Sequence, residues 1–170
     1  MIQIRRPKIG YLPAYFNIPE YCYVVAAILC VVTLIVMRRV GLSLLIAYLF
    51  LVLAVTVFLR NYSEEPNIIL EPFHSYREYY INDFTWFEIR ANVLLFVPIG
   101  FLLPMTFKKP LFSFVTGVMV SVMIELLQFV LHRGLCETDD VISNTIGLVI
   151  GMAAYAAVIM IVRLFRRIIR

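Results

Sequence analysis

The sequence predicts an all-α fold, a polytopic membrane bundle of five transmembrane helices with an interfacial amphipathic helix in its long outer loop. Three observations carry that prediction. Hydrophobic residues fill 62% of the 170 positions and charged residues only 15%, against roughly 45–50% and about 25% in soluble chains. The apolar residues gather into five blocks, Tyr21–Met37, Gly41–Leu59, Ala91–Phe107, Leu111–Leu131 and Val141–Val162. Each block reaches or approaches the ~20 residues a helix needs to cross a bilayer.

Short breaks separate the blocks, at Arg38–Val40, Lys108–Pro110 and His132–Asp140, and only residues 60–90 form a long connection. No repeat or low-complexity segment interrupts the pattern, so residues 1–170 read as a single membrane domain. The net charge of +4 does not point to nucleic acid. Most of the basic residues flank the spans, at Arg38, Arg39, Lys108, Lys109 and the tail Arg163, Arg166, Arg167 and Arg170, where they anchor topology and meet lipid headgroups. Membrane lipids, not nucleic acids, are the expected partners. Cys22, Cys30 and Cys136 show neither metal spacing nor a disulfide framework, and no cofactor or metal is expected. Arg5, Arg6 and Lys8 precede Pro13 and Pro19 without a small-residue cleavage site, so the first span is expected to remain.

Five spans put the termini on opposite sides. With the short basic turns and the tail inside, that side carries eight Lys/Arg and no acid, while ten of the eleven Asp/Glu fall outside. This favours the N-terminus outside and the C-terminus cytoplasmic. Arg5, Arg6 and Lys8 sit awkwardly in that arrangement. In the outer loop, Tyr76, Tyr80, Phe84 and Phe87 recur at helical spacing, opposed by Arg77, Glu78, Asn82, Asp83 and Glu88. The spacing predicts one helix over Ser75–Arg90 lying in the headgroup plane, either as an anchor or as a lid. Tyr79, Trp86 and the aromatics around Tyr11–Tyr23 would join an outer aromatic belt.

Polar side chains inside spans are costly and mark candidate sites. Asn92 opens the third span two residues after Arg90, and Pro98 at mid-depth is expected to loosen the helix and free a carbonyl. Glu125 lies about 9 Å below the outer end of the fourth span, with Gln128 and His132 expected on the same face. Arg90 and Arg133 are its candidate cations. Asp139 or Asp140 is placed to cap the fifth span. Below them, Asn144, Gly147, Gly151 and Ala154 form a narrow face suited to close helix packing. Asn92, Gln128, Arg133, Glu137, Asp139, Asp140 and Asn144, with Arg90 at the rim, therefore converge around Glu125 as a candidate outward pocket. The alternative is that Glu125 and Gln128 only lock helices together.

These residues resemble the VanZ-like family of bacterial membrane proteins. The matching pieces are Asn92-Val-Leu-Leu-Phe-Val-Pro98-Ile-Gly100-Phe101, Ile124-Glu125-Leu-Leu-Gln128 and Glu137-Thr-Asp139-Asp140-Val-Ile-Ser-Asn144-Thr145-Ile-Gly147. Leu70-Glu-Pro72-Phe73 matches in part the family's outer-loop Asn-Leu-x-Pro-Phe stretch, with Ile69 in the asparagine's place. Glu137 stands where Asp is frequent. The resemblance covers residues 67–155 and implies a role in the bacterial cell envelope. Its founding member is linked to antibiotic resistance, as reduced susceptibility to the glycopeptide teicoplanin.

Three functions compete, in this order. The first is a binding or accessory protein whose pocket engages an envelope lipid, a lipid-linked precursor or a lipophilic glycopeptide. The second is an intramembrane enzyme acting on a lipid or polyprenyl-phosphate headgroup, with Glu125 as catalytic base, Arg133 or Arg90 as phosphate clamp, and Asn92, Gln128 and Asn144 as orienting donors. The third is a small transporter, against which stands the lack of an inverted repeat in five spans.

Overall fold

The computed structural model describes residues 19–37, 39–60, 62, 68–78 and 83–169. Expectations placed on Arg5, Arg6, Lys8, Tyr11, Tyr79, Tyr80 and Asn82 lie outside these residues, as do those on the side chains of Glu78, Asp83 and Phe84. The elements in chain order are α1 (Glu20–Met37), α2 (Val40–Leu53), β1 (Ile68–Ile69), α3 (His74–Glu78), α4 (Asp83–Phe107), α5 (Pro110–Val130), β2 (Cys136–Glu137) and α6 (Thr138–Ile168). A π-helical turn, Ala54–Phe58, continues α2. Five helical stretches are long and apolar enough to cross a membrane: Glu20–Met37, Val40–Phe58, Thr85–Phe107, Pro110–Val130 and Thr138–Ile168. The protein is a multi-pass helical membrane protein.

The helix ends follow local chemistry. Lys108 adopts a left-handed backbone (φ 57°) after α4, and Pro110 occupies the first turn of α5, where its missing amide costs nothing. At the far end of α5 the His132 amide donates to the Phe129 carbonyl and the Arg133 amide to the Gln128 carbonyl. With His132 left-handed (φ 54°), this is a Schellman closure.

α4 and α6 form the most extensive helix pair, and glycine allows it. A Cβ on Gly147 would strike the Val93 carbonyl, one on Gly151 the Val97 carbonyl, and one on Gly100 the Leu148 carbonyl. The two backbones are thus in direct contact over two turns. Leu148, fully buried, also fills the notch at Gly117 of α5 and so joins three helices. Around it lie Leu45, Val52, Val57, Phe96, Ile99, Leu103 and Ile124. The Tyr48 hydroxyl donates to the Leu95 carbonyl at 3.1 Å, next to Leu94, whose carbonyl has no donor at Pro98. α1 packs on α2 and buries only Cys22 and Ala26.

The described residues of the predicted Ser75–Arg90 stretch are helical at both of its ends. α3 covers His74–Glu78, and residues 83–90 are the first turns of α4. Tyr76, expected to face lipid, turns inward, and its hydroxyl lies 2.8 Å from Ser143 Oγ. The reason is that Ser75 is pinned to α6 by backbone and side chain, which fixes the rotation of so short a helix.

Gly147→Ala should destabilise the protein by about 1–3 kcal/mol, the usual cost of overpacking, because the methyl meets backbone that cannot move aside. Gly41→Ala meets only the ends of Thr106 and Met105 side chains and the Met105 carbonyl carbon at 3.6 Å, and should cost less. Thermal unfolding of the purified chain in detergent checks the order.

Candidate functional site

One end of the bundle gathers the polar side chains, and a single carboxylate organises it. Asp139 lies in the first turn of α6 and is 2% exposed. Its Oδ1 accepts the Phe73 amide and its Oδ2 the Ser75 amide, both at 2.6 Å. Asp139 therefore caps α3, a helix remote in sequence, and does not cap its own. The N-cap position of α6 is Glu137, with no side-chain cap bond. Phe73 adopts a left-handed backbone (φ 65°) at the start of α3, and its amide and that of Ser75, two residues on, both point at the carboxylate.

Three more contacts tie the same loop to the start of α6. β1 pairs in parallel with β2, Ile68 opposite Cys136 and Ile69 opposite Glu137. Ser75 Oγ donates to Glu137 Oε2 at 2.8 Å, and Thr138 Oγ1 donates to the Leu70 carbonyl at 3.3 Å. The Leu70-Glu-Pro-Phe73 stretch and the Glu137-Thr-Asp-Asp140 stretch are thus two halves of one clamp.

Beneath the clamp lies Glu125, 4% exposed. Its Oε2 accepts the Glu137 amide at 3.2 Å. Glu125 and Asp140 interact electrostatically with each other, with Glu137 and with Arg60. Arg60, at the end of the second span, is the cation of this cluster. Its guanidinium lies against Gly134, whose φ of 153° and crowding by Arg60 Nη1 leave no room for a side chain.

The remaining candidates divide. Gln128, 2% exposed, donates from Nε2 to the Thr56 carbonyl at 2.9 Å, inside the π-helical turn, where the wider ladder rearranges carbonyls. Its Oε1 is buried without a hydrogen-bond partner among the described residues. Asn144 donates to Ser121 Oγ at 2.9 Å, one turn below Glu125 on α5. Asn92 is buried on α4. Arg133 donates to the Arg60 carbonyl at 2.7 Å, so it holds the α5–α6 loop to the end of the second span. Arg90 is exposed and stacks over Trp86 at 5.0 Å. His132 leaves the Glu125 face because the helix has already closed, and it stacks on Tyr62 with ring centroids 5.5 Å apart.

Sequence reasoning passed over Arg60, treated only as the border of an apolar block, and Thr56, Ser75, Ser121 and Ser143. Arg60 stands at the same end as Arg90 and Arg133, and threading places it there as firmly as them. The serines carried no comparable signal, since each is an ordinary small residue until its partner is known. Among the described residues no group of three or more His, Cys, Asp and Glu is arranged to hold a metal ion.

Fold and site together define a class: a multi-pass membrane protein with a buried glutamate among half-buried acids and an outer loop clamped to the start of its last helix. The chain belongs to the VanZ/LLP1 family, whose model matches residues 45–163. It is 38% identical over 72 residues to Protein VanZ of Enterococcus faecium, an alignment covering 40% of this chain and 44% of that protein. The chain thus aligns with less than half of that relative's length. No solved structure matches.

Asp139→Ala removes two hydrogen bonds to a charged acceptor, each worth about 1.5–3 kcal/mol. Limited trypsinolysis after Arg77 should then accelerate at least about tenfold over wild type. Cys136 offers a second readout. Burial, then the charges of Glu125, Asp140 and Glu137, push its thiol above the usual range. Reaction with maleimide needs the thiolate, so the rate should be low near pH 7 and keep rising past the normal thiol range. Glu137→Gln removes one repelling charge, lowers the thiol pKa and should speed labelling at pH 7.5, with the two rates converging at high pH.

Proposed function

We propose that the protein is a cell-envelope membrane protein whose acidic cluster binds the polar head of an envelope lipid, a lipid-linked precursor or a lipophilic glycopeptide. The observation that carries this reading is the buried Glu125 beside the half-buried Glu137 and Asp140, next to a loop that Asp139 ties to α6. Carboxylates outnumber the guanidinium groups there, so the cluster favours hydroxyl and ammonium donors, as on amino sugars and glycopeptides, over phosphate. Ligand entry requires the loop at residues 68–78 to lift from β2 and Asp139. Membership of the VanZ/LLP1 family places a teicoplanin-type resistance role among the functions to test. Catalysis on a lipid headgroup is the second reading, resting on the same Glu125 as base.

The test is expression in a teicoplanin-susceptible bacterium together with binding by the purified chain. Wild type should raise the inhibitory concentration and bind fluorescent teicoplanin or a lipid-linked disaccharide. Glu125→Gln should insert in equal amount yet weaken binding roughly 10- to 100-fold, the range for a lost hydrogen bond to a charged group. Equal binding by wild type and Glu125→Gln would remove the cluster from the function. Turnover of a labelled polyprenyl phosphate by wild type would favour the enzyme.

The acid segregation also supports an orientation with the N-terminus outside, the C-terminus cytoplasmic and the clamp facing outward. A cysteine at Tyr62 or Leu70 should react with an impermeant maleimide added to intact cells, and one at Arg39 or Lys109 should not. External labelling at Lys109 would reverse the orientation.

A further inference from the structure

The opposite end of the bundle holds a second, independent feature. A cavity of about 640 Å³ lies between the α4–α5 turn and the C-terminal half of α6. Lys108, Arg163 and Arg167 line it together with Pro104, Ile159 and Met160. The three cations lie within about one and a half turns of the helix ends, while the apolar residues continue along α6 toward the bundle centre. Residues 100–115 and 152–169, which form this end, contain no Asp or Glu, and among the described residues no acid pairs with the three cations. Tyr155, edge-on to Phe101 at 5.5 Å, forms part of the inner wall.

We propose that this cavity is a binding site for one anionic phospholipid. The phosphodiester takes Lys108, Arg163 and Arg167, and an acyl chain lies along Pro104, Ile159 and Met160. Two properties single out a lipid over a free anion. The cations sit at one rim of an otherwise apolar groove, a division that matches a headgroup joined to a hydrocarbon tail. Met160 is 64% exposed and Leu164, beside it in the groove, 47%, so the groove presents an apolar flank where a bilayer's hydrocarbon begins. Basic pockets between membrane helices recognise acidic headgroups on this principle. The Lys108 backbone adds a point. Its left-handed conformation suits glycine better than any L side chain, so the turn itself has no need of a lysine.

The experiment is native mass spectrometry of the purified full chain in detergent, titrated with phosphatidylglycerol or phosphatidylcholine of identical acyl chains. Wild type should retain phosphatidylglycerol at least about tenfold more strongly, and each cation removed should cut that preference roughly fivefold. Lys108→Gly is the first variant, because it removes the cation while relaxing the turn. Arg163→Gln with Arg167→Gln should leave only the roughly fivefold preference that Lys108 supports. Arg39→Gln, at the same end but outside the groove, should leave the preference intact. Equal retention of both lipids by wild type, or a preference unchanged by Lys108→Gly and by the double substitution, would overturn the proposal. Because the cavity is remote from Glu125, either outcome leaves the proposed function of the acidic cluster standing.

Discussion

The carboxylate of Asp139 is the constraint on which the polar end depends. A five-residue helix does not form by itself, since isolated helices shorter than about 12–15 residues are marginal in water. α3 exists because its free amides meet a charge on another helix. Once α3 is fixed, Ser75 and Tyr76 face α6, β1 lies along β2, and the Glu137 amide points at Glu125. Burying an acid at Glu125 demands donors and a countercharge. The clamp supplies the donor, and Arg60 supplies the charge.

The helical part of the fold was legible because the bilayer imposes one simple rule on it. Runs of apolar residues must be helices of a given length, and the close-packed face at Gly147 and Gly151 needs no knowledge of its partner to be recognised. Pro98 was legible as a missing donor in the α4 ladder. The clamp was not. An aspartate at the start of a helix has a local explanation, its own N-terminus, and that explanation hides the longer-range one that holds here. His132 misled through periodicity carried two residues too far, past the point where α5 closes. Tyr76 misled because an aromatic stripe says nothing of a hydroxyl's partner in a span nearly seventy residues away.

The buried face of α5 shows how the two kinds of information meet. Ser113, Gly117 and Ser121 are buried at four-residue spacing, and Glu125 and Gln128 continue the same face. The small residues let α5 approach α6 closely enough for Asn144 to reach Ser121. The larger polar residues, Glu125 and Gln128, follow on the same face toward the end of α5.

Contact between the α4 and α6 backbones has a mechanical consequence. No layer of side chains separates these helices at Val93–Gly147 or Val97–Gly151, so they offer no surface along which to slide and act as one rigid body. α5 and the second span lack that backbone-on-glycine lock. α5 meets α6 through the Leu148 side chain and the Asn144–Ser121 bond, and meets the second span through Gln128 and the π-helical turn. Glu125 belongs to the α5 side of these seams and Asp139 to the α6 side, and the Glu137 amide bridges them. The α4–α6 pair is therefore the fixed frame of this molecule, and Asp139 in the first turn of α6 ties the outer loop to that frame.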